Sequence, residues 1–383
     1  MTASLAVRIA PSLSAVDPAD WDALAGGRAC VSHALLATLE DSGSVGDGTG
    51  WHPRHLLLED DGRLVGAMPL YEKLHSWGEY VFDWAWADAY QRHGLAYYPK
   101  WLSAVPFTPV PGPRLLAREP QHVHVLARAA RALAEESGLS SMHVLLPPDD
   151  EARALADAGF MLRQGVQFHW HGHGYAAFED FLARLNHAKR KKIRQERRHA
   201  AELGLACEWL DGHTAREEDW RFFHRCYATT YALHRSTPYL TPEFFPMLAQ
   251  RMPDGVRLLL ARRDGRPVAG AFFLIDREAL YGRYWGATEP LPFLHFELCY
   301  YRAIEYCIAH GVSRFEGGAQ GEHKLSRGLE PVVTQSAHWL RDERFADAVE
   351  RFLEREREGI GFYLGELDER TPFRRAGTAT TRG

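Results

Sequence analysis

The sequence predicts an α/β chain built as two copies of one unit, each around a mixed central sheet, with a helix at the C-terminal end. Three matches that recur in the same order carry this expectation. First, "LLLEDDGRLVGAMPL" (Leu56 to Leu70) and "LLLARRDGRPVAGAFFL" (Leu258 to Leu274) each join two apolar runs through Asp-Gly, a strong short-range hairpin signal. Second, "ARALAEESGLSSMHVLL" (Ala130 to Leu146) and "AIEYCIAHGVSRFEGG" (Ala303 to Gly318) each read as an amphipathic helix, stopped by Gly138 or Gly311 and followed by a strand. Third, "GFMLRQGVQFHW" (Gly159 to Trp170) and "GLEPVVTQSAHW" (Gly328 to Trp339) have equal length and the same His-Trp ending. The expected division falls near Gly172, giving units 1–172 and 173–383.

Composition sets the setting. The 383 residues are 46% hydrophobic, ordinary for a globular chain with sizeable cores. Arg8 interrupts the only apolar run near the N-terminus, and no later run reaches the ~18 apolar residues of a membrane-spanning helix. The five cysteines (Cys30, Cys207, Cys226, Cys299, Cys307) form no C-x-x-C pair, which argues against a disulfide framework or structural zinc and for a reducing, cytoplasmic setting. The alternating His169, His171 and His173 lack a Cys or carboxylate partner nearby, so no metal is expected.

The first copy is longer. Between the hairpin glycine and the helix-stopping glycine it carries about 30 extra residues (Gly62 to Gly138 against Gly265 to Gly311). The excess, "GEYVFDWAWADAYQRHGLAYYPKWLSAVPFTPVPGPRLL", is rich in aromatics and then in proline. Such density forms either a recognition platform or the core of an enlarged domain. As a platform, Trp86, Tyr98 and Thr108 would contact substrate with Asp83, Asp88 and Lys100 as polar anchors.

The second copy opens with a concentrated charge. Seven of the ten residues from Lys189 to Arg198 are basic and one, Glu196, is acidic; the chain's formal charge is −5, so the remainder carries −11. With Ile193 its only large apolar residue, this helix is expected either to be a solvated connector or to face phosphates through Lys189, Arg190, Lys191, Arg194 and Arg198.

"LNHAKRKKIRQERRHAAELGL" and "FEGGAQGEHKLSRGLEPVVTQSAHW" resemble the basic helix and the C-terminal glycine loop and lysine of the FemAB-like family, a tandem pair of GNAT-like (acyl-CoA N-acyltransferase) units. "GEYVFDWAWADAY", "YYPKW" and "PFTPVPGPRLL" resemble a branch of it associated with peptidoglycan biosynthesis or recognition. The resemblance implies transfer of an acyl group to an amine, with two units enclosing a cleft. In cell-wall members the donor is an aminoacyl-tRNA and the acceptor a peptide stem. Lys324 occupies the family's lysine position and is expected to stabilise an oxyanion. Gly317, Gly318 and Gly321 allow close backbone approach beside it.

The residues around that loop suggest further roles. Glu316 or His323 could relay the amine's proton, and Arg327 could hold a phosphate or carboxylate. Glu297 and Tyr301, spaced i,i+4 on a helix, could reach the same cleft, with Tyr284 and Trp285 as its wall. No tightly bound cofactor is expected. A CoA co-substrate would need the Q/R-x-x-G-x-G/A phosphate loop, and "YGRYWGATEPLPFLHFELCYY" instead has Pro290, Pro292 and Glu289 there. Two alternatives stay open: an acyl-CoA enzyme with an atypical pyrophosphate site, and a non-catalytic protein that binds peptidoglycan precursors or nucleic acid. The acceptor would be a small-molecule or peptidyl amine and tRNA is the candidate macromolecular partner; the pattern specifies no oligomeric state. The last helix, Asp342 to Leu367, carries the stripe Phe345, Val349, Phe352 and Leu353, expected to pack on the second unit, and the tail after Pro372 is expected to fray.

Overall fold

A computed structural model of the chain describes residues 5–318 and 321–374. In chain order the strands are β1 (Leu5–Ala10), β2 (Trp51–Pro53), β3 (His55–Asp60), β4 (Arg63–Met68), β5 (Tyr71–Lys73), β6 (Lys100–Ser103), β7 (Leu116–Ala117) and β8 (Ser141–Leu145). They continue with β9 (Met161–His171), β10 (Ala206–Leu210), β11 (Val256–Arg263), β12 (Arg266–Ile275), β13 (Ala279–Ala287), β14 (Arg314–Glu316) and β15 (Glu330–Leu340). They form a four-stranded sheet, β1-β3-β4-β7, and one eleven-stranded sheet, β10-β11-β12-β13-β14-β9-β15-β8-β6-β5-β2.

The duplicated signals are realised. Both hairpins turn with positive φ at both central residues, 47° and 78° at Asp61-Gly62 and 49° and 78° at Asp264-Gly265, the turn whose twist matches its strands. Helices Pro120–Glu136 and Arg302–His310 are each followed by a left-handed glycine, Gly138 or Gly311, and then by β8 or β14. The copies differ in where the hairpin lies. The first sits in the small sheet because Pro69 ends β4, and the chain re-enters the large sheet only at β5.

What makes the large sheet continuous is an exchange of final strands. β9, from the first copy, pairs antiparallel with β14 of the second; β15, from the second, pairs with β8 of the first; and β9 and β15 pair with each other. That central register is symmetric about Gly165↔Thr334, with Met161↔His338 and His169↔Glu330 equally far on either side. A pseudo-twofold axis therefore passes through the middle of the molecule.

The C-terminal helix, Glu343–Glu369, is capped by Asp342. Its Val349 and Leu353 pack with Trp86, Tyr90 and Tyr97 of the first copy's aromatic insert, and Phe345 lies 4.2 Å from Tyr90. This corrects the expectation for the stripe, which the exchanged strands bring over the insert; the far end of the helix does pack on the second unit, where Leu367 is fully buried and Tyr363 lies against the same core. Phe352 stays 39% exposed. Pro372 to Arg374 do not fray, since the Pro372 carbonyl accepts from Asn186 at 2.8 Å and Arg374 N–H donates to Arg184 at 2.9 Å. The tail beyond 374 lies outside the described residues. Among the described residues, no helix is long and apolar enough to cross a membrane.

Candidate active site

In the second unit β13 and β14 are parallel neighbours over only three residue pairs, Ala279↔Arg314 to Tyr281↔Glu316. Beyond them β13 runs on beside β12 but without β14, and the two parallel strands part. A register shift against β12, where Phe273 faces Gly282 and Phe272 faces Tyr284, leaves Arg283 as the bulged residue at that point. The gap holds a cavity of about 100 Å³ lined by Phe272, Gly282, Arg283, Tyr284, Trp285, His295, Tyr300 and Gly317. Tyr284 and Trp285 both line it.

Lys324 lies at this gap. It is 2% exposed, its Nζ donates to the Gly318 carbonyl at 2.7 Å, and its side chain runs along Gly317, where a Cβ would meet Lys324 Cδ at 3.5 Å. Burial, with the Arg283 guanidinium adding to it, pushes the Lys324 ammonium down to about 7. His323 is on the same side, its Nε2 3.1 Å from the Tyr300 hydroxyl, and burial lowers its pKa. Ala319 and Gln320 of this loop lie outside the described residues.

Glu316 does not join them. Consecutive strand residues point to opposite faces, so with Gly317 on the cavity the Glu316 side chain lies behind it. There its Oε1 accepts from Arg314 Nε at 2.9 Å and its Oε2 sits 3.9 Å from His169 Nε2. Burial raises it to about 7. The expectation that Glu316 directly takes the amine's proton is corrected on this ground.

The pair Glu297 and Tyr301 is corrected too. Glu297–Tyr301 is a π-helical turn, with a different phase from the α-helix assumed, and Tyr300 takes the cavity-facing place. Glu297 instead accepts from Arg197 at 3.1 Å and Arg302 at 2.9 Å, and the Tyr301 hydroxyl donates to Glu196. Both side chains hold the basic helix.

That helix, His187–Ala201, is neither freely solvated nor wholly given to an anion. Asn186 caps it by accepting from Lys189 N–H at 3.0 Å. Its inner stripe, Ile193, Glu196 and Ala200, is buried. Glu196, the one acidic residue of the run, accepts two bonds at 3.1 Å from Arg327 Nη2, and Arg327 is itself 3% exposed and stacked 3.5 Å over Phe296. So Arg327, read as a ligand for phosphate or carboxylate, is committed to a buried ion pair three residues from Lys324. On the outer face Arg194 pairs with Glu179 at 2.5 Å. Among the described residues Lys189, Arg190, Lys191 and Arg198 have no carboxylate within 4.0 Å. Sequence reasoning missed Arg197, Arg283 and Glu196; an acid at the centre of a basic run was the one signal available for the last.

The aromatic insert is corrected most. Lys100 is fully buried, bonded to Ser76 Oγ and Glu79 Oε2 at 2.9 Å each and to Asp83. Asp83 and Trp86 are buried as well, and Tyr98 bonds to Ser76 at 2.9 Å. These side chains close a core and cannot be anchors on an open platform. Thr108 lies in the proline loop, which docks on the second unit: the Phe107 carbonyl accepts from Arg283 and from the Tyr284 hydroxyl, the latter at 3.1 Å. Glu289 turns away from the helix start and pairs with Arg263. Of the three alternating histidines, His169 contacts Gln167 and His173 contacts Glu330; among the described residues no three metal-binding side chains converge.

Two mixed α/β units and a pair of parting parallel strands make up a tandem GNAT-type fold, with a buried lysine at the parting. The chain belongs to the FemAB-like family, described as peptidoglycan biosynthesis/recognition, whose model matches residues 12–375. Among solved structures it is similar to FemX at 12% identity, covering 88% of this chain and 98% of that one with a TM-score of 0.54. It is similar to L-PGS from Bacillus licheniformis at 13% identity, covering 88% and 97%, with a TM-score of 0.55. A putative lysylphosphatidylglycerol synthetase C-terminal domain from Agrobacterium fabrum matches at 11% identity over 87% and 94%, with a TM-score of 0.54. No curated protein matches in sequence.

Proposed function

We propose that the chain is a cytoplasmic N-acyltransferase that moves an aminoacyl group from a tRNA ester to the amine of a peptidoglycan precursor or another small amine. The observation that carries this reading is Lys324, buried in a glycine loop at the gap between β13 and β14. The family's description and a structural neighbour named for lysylphosphatidylglycerol synthesis support an aminoacyl cargo.

The amine nitrogen attacks the ester carbonyl, and the oxyanion that forms accepts a hydrogen bond from protonated Lys324. His323, on the cavity side, takes a proton from the nitrogen. Collapse breaks the carbon–oxygen bond, and the leaving ribose oxygen recovers that proton. The outer face of the basic helix suits the donor's phosphates, since Lys189, Arg190, Lys191 and Arg198 are uncommitted among the described residues.

The parting strands favour a second reading, with acyl-CoA as donor. Against it, Leu294 and Phe296 N–H at the start of the following helix are already bonded to Leu291 and Phe293 at 3.2 and 3.0 Å, leaving fewer amides to cradle a pyrophosphate. A thermal-shift series with acetyl-CoA, uncharged tRNA and a UDP-linked muramyl peptide separates the two. Stabilisation by acetyl-CoA alone reverses the order. Lys324→Ala is expected to abolish turnover while ligand binding persists; unchanged turnover removes the catalytic assignment.

A further inference from the structure

Arg283 is shared between the two units. As the bulged residue of β13 it is aimed off the strand at the level where β14 no longer pairs, so its guanidinium reaches the parting itself. Toward the first unit its Nη2 donates to the Phe107 carbonyl of the proline loop. Toward the second it lines the acyl-transfer gap with Trp285, His295 and Tyr300.

The first unit grips this carbonyl in one orientation. Phe107 has φ 59°, uncommon for a bulky side chain, and is 2% exposed. Its ring stacks on Tyr239 at 4.8 Å with 5° between the planes, and meets Trp51 edge-on at 5.2 Å. Its N–H donates to the Gly78 carbonyl at 3.2 Å, and a Cβ on Gly78 would lie 2.6 Å from the ring, so only glycine lets the loop close here. The Tyr284 hydroxyl donates to the same Phe107 carbonyl at 3.1 Å, and the Arg283 guanidinium lies 5.1 Å from the Tyr284 ring. The arginine is thus fixed between a carbonyl of one unit and an aromatic face of the other.

Lys324 is the other cation at the gap. Its Nζ is bonded to the Gly318 carbonyl, and Gly318 lies against β13: a Cβ there would be 3.8 Å from the carbonyl of Gly282, the residue before Arg283. Among the described residues the remaining titratable groups around the gap are neutral or paired. Burial lowers His295 to about 4 and also lowers His323, while it raises the Tyr284 and Tyr300 hydroxyls and the Cys299 thiol. Arg327 is bound to Glu196, Glu322 to Arg370, and Glu316, behind Gly317, to Arg314. Arg283 itself has no carboxylate within 4.0 Å among the described residues. Burial is the first cause of the depressed Lys324 pKa, and the Arg283 charge is the second.

We propose that Arg283 is a positioning residue of the acyl-transfer gap: the first unit, through the Phe107 carbonyl, holds its guanidinium where that charge acts on Lys324. The lysine of the second unit is thereby tuned by a loop of the first. A lysine pressed by a neighbouring cation gives up its proton more readily, which makes it the stronger donor to a developing oxyanion. That consequence rests on Lys324 being the oxyanion's donor, whereas the coupling of the two charges is measurable without turnover.

The chain has six lysines (Lys73, Lys100, Lys189, Lys191, Lys192 and Lys324), so isotope labelling of the lysine Cε carbon gives six NMR signals to follow against pH. The Lys324 signal is assigned by its loss in Lys324→Ala. Arg283→Gln removes the charge but keeps an N–H for Phe107, and is expected to raise the Lys324 midpoint by about one pH unit, a tenfold gain in proton affinity. Arg283→Lys, which keeps the charge, should return at least half of that shift. Tyr284→Phe removes only the second donor to Phe107 and should leave the midpoint within about 0.3 unit. Lys73, 3.8 Å over the Trp51 ring against which Phe107 packs, reports any displacement of the loop and should not move in Arg283→Gln. An unmoved Lys324 midpoint in Arg283→Gln, an equal shift in Tyr284→Phe, or an equal shift of Lys73 overturns the proposal. If Lys324 shifts as expected while Lys324→Ala still turns over, the catalytic reading of the lysine falls and the coupling stands.

Discussion

Replacing Glu196 by Ala tests how the basic helix is joined to the lysine loop. Glu196 is 6% exposed and accepts two bonds from Arg327, which is 3% exposed, and a third from Tyr301. Removing the carboxylate strands a guanidinium whose remaining bonds are to the His323 carbonyl at 2.9 Å and Ser326 at 3.5 Å. Its Nε has no partner already. Breaking one side of a buried pair costs about 3–5 kcal/mol. An unfolding entropy of about 2.1 cal/mol/K per residue amounts to roughly 0.8 kcal/mol/K over 383 residues, so the midpoint falls by about 4–6 °C if the chain unfolds as one unit. Lys192→Ala is the control: it lies one turn earlier on the helix, 57% exposed and 3.9 Å from the same carboxylate, and its loss should cost under about 1 kcal/mol. Calorimetry reads the stability, and turnover should fall with it because Arg327 is three residues from Lys324. If Glu196→Ala melts within about 1 °C of the Lys192→Ala protein, the buried pair is not what joins helix to loop.

Other outcomes follow from the same geometry. If Lys324 acts as the oxyanion's donor, its depressed pKa of about 7 means that kcat falls as pH rises through neutrality, and Lys324→Arg, which stays charged, loses that limb; a rate that instead rises through pH 7 assigns the lysine to proton removal. Reversing Lys191, Arg194 and Arg198 to Glu should weaken tRNA binding and flatten its dependence on salt, read by filter binding at several ionic strengths; an unchanged slope makes the outer face a solvated connector. We also propose Gly172 as the unit boundary. Because β9 and β15 each pair with the other copy, fragments 1–172 and 173–383 should give a folded, protease-resistant species only when co-expressed. Independent folding of either alone would show that the exchange is dispensable.

The duplication was legible because its signals are local. An Asp-Gly turn needs two positive φ angles, and a helix-ending glycine needs one, whichever strands lie nearby. The lysine was legible through a family likeness and the glycines beside it. The aromatic insert was not, since Trp86, Tyr90 and Tyr97 have the composition of a platform and of a core alike, and only the helix Glu343–Glu369 arriving over them decides for the core. Glu316 was misplaced for a different reason: its residue type suits a base, but strand alternation at Gly317 turns it to the other face. Glu297 and Tyr301 failed on phase, because the turn is π-helical and both side chains pair with a basic helix about a hundred residues away.

By itself, then, the sequence determined the repeated unit, its turns, its helix ends and the charge of the helix at His187–Ala201, all of which depend on neighbours within a few residues. Tertiary structure decided which copy each final strand completes, which of the basic residues are spent on Glu297, Glu305 and Glu179, and where the buried serine and histidine of β15 meet those of β8. These are pairings between residues far apart in the chain. Their register is set by which faces must be buried together, a condition that no single segment carries.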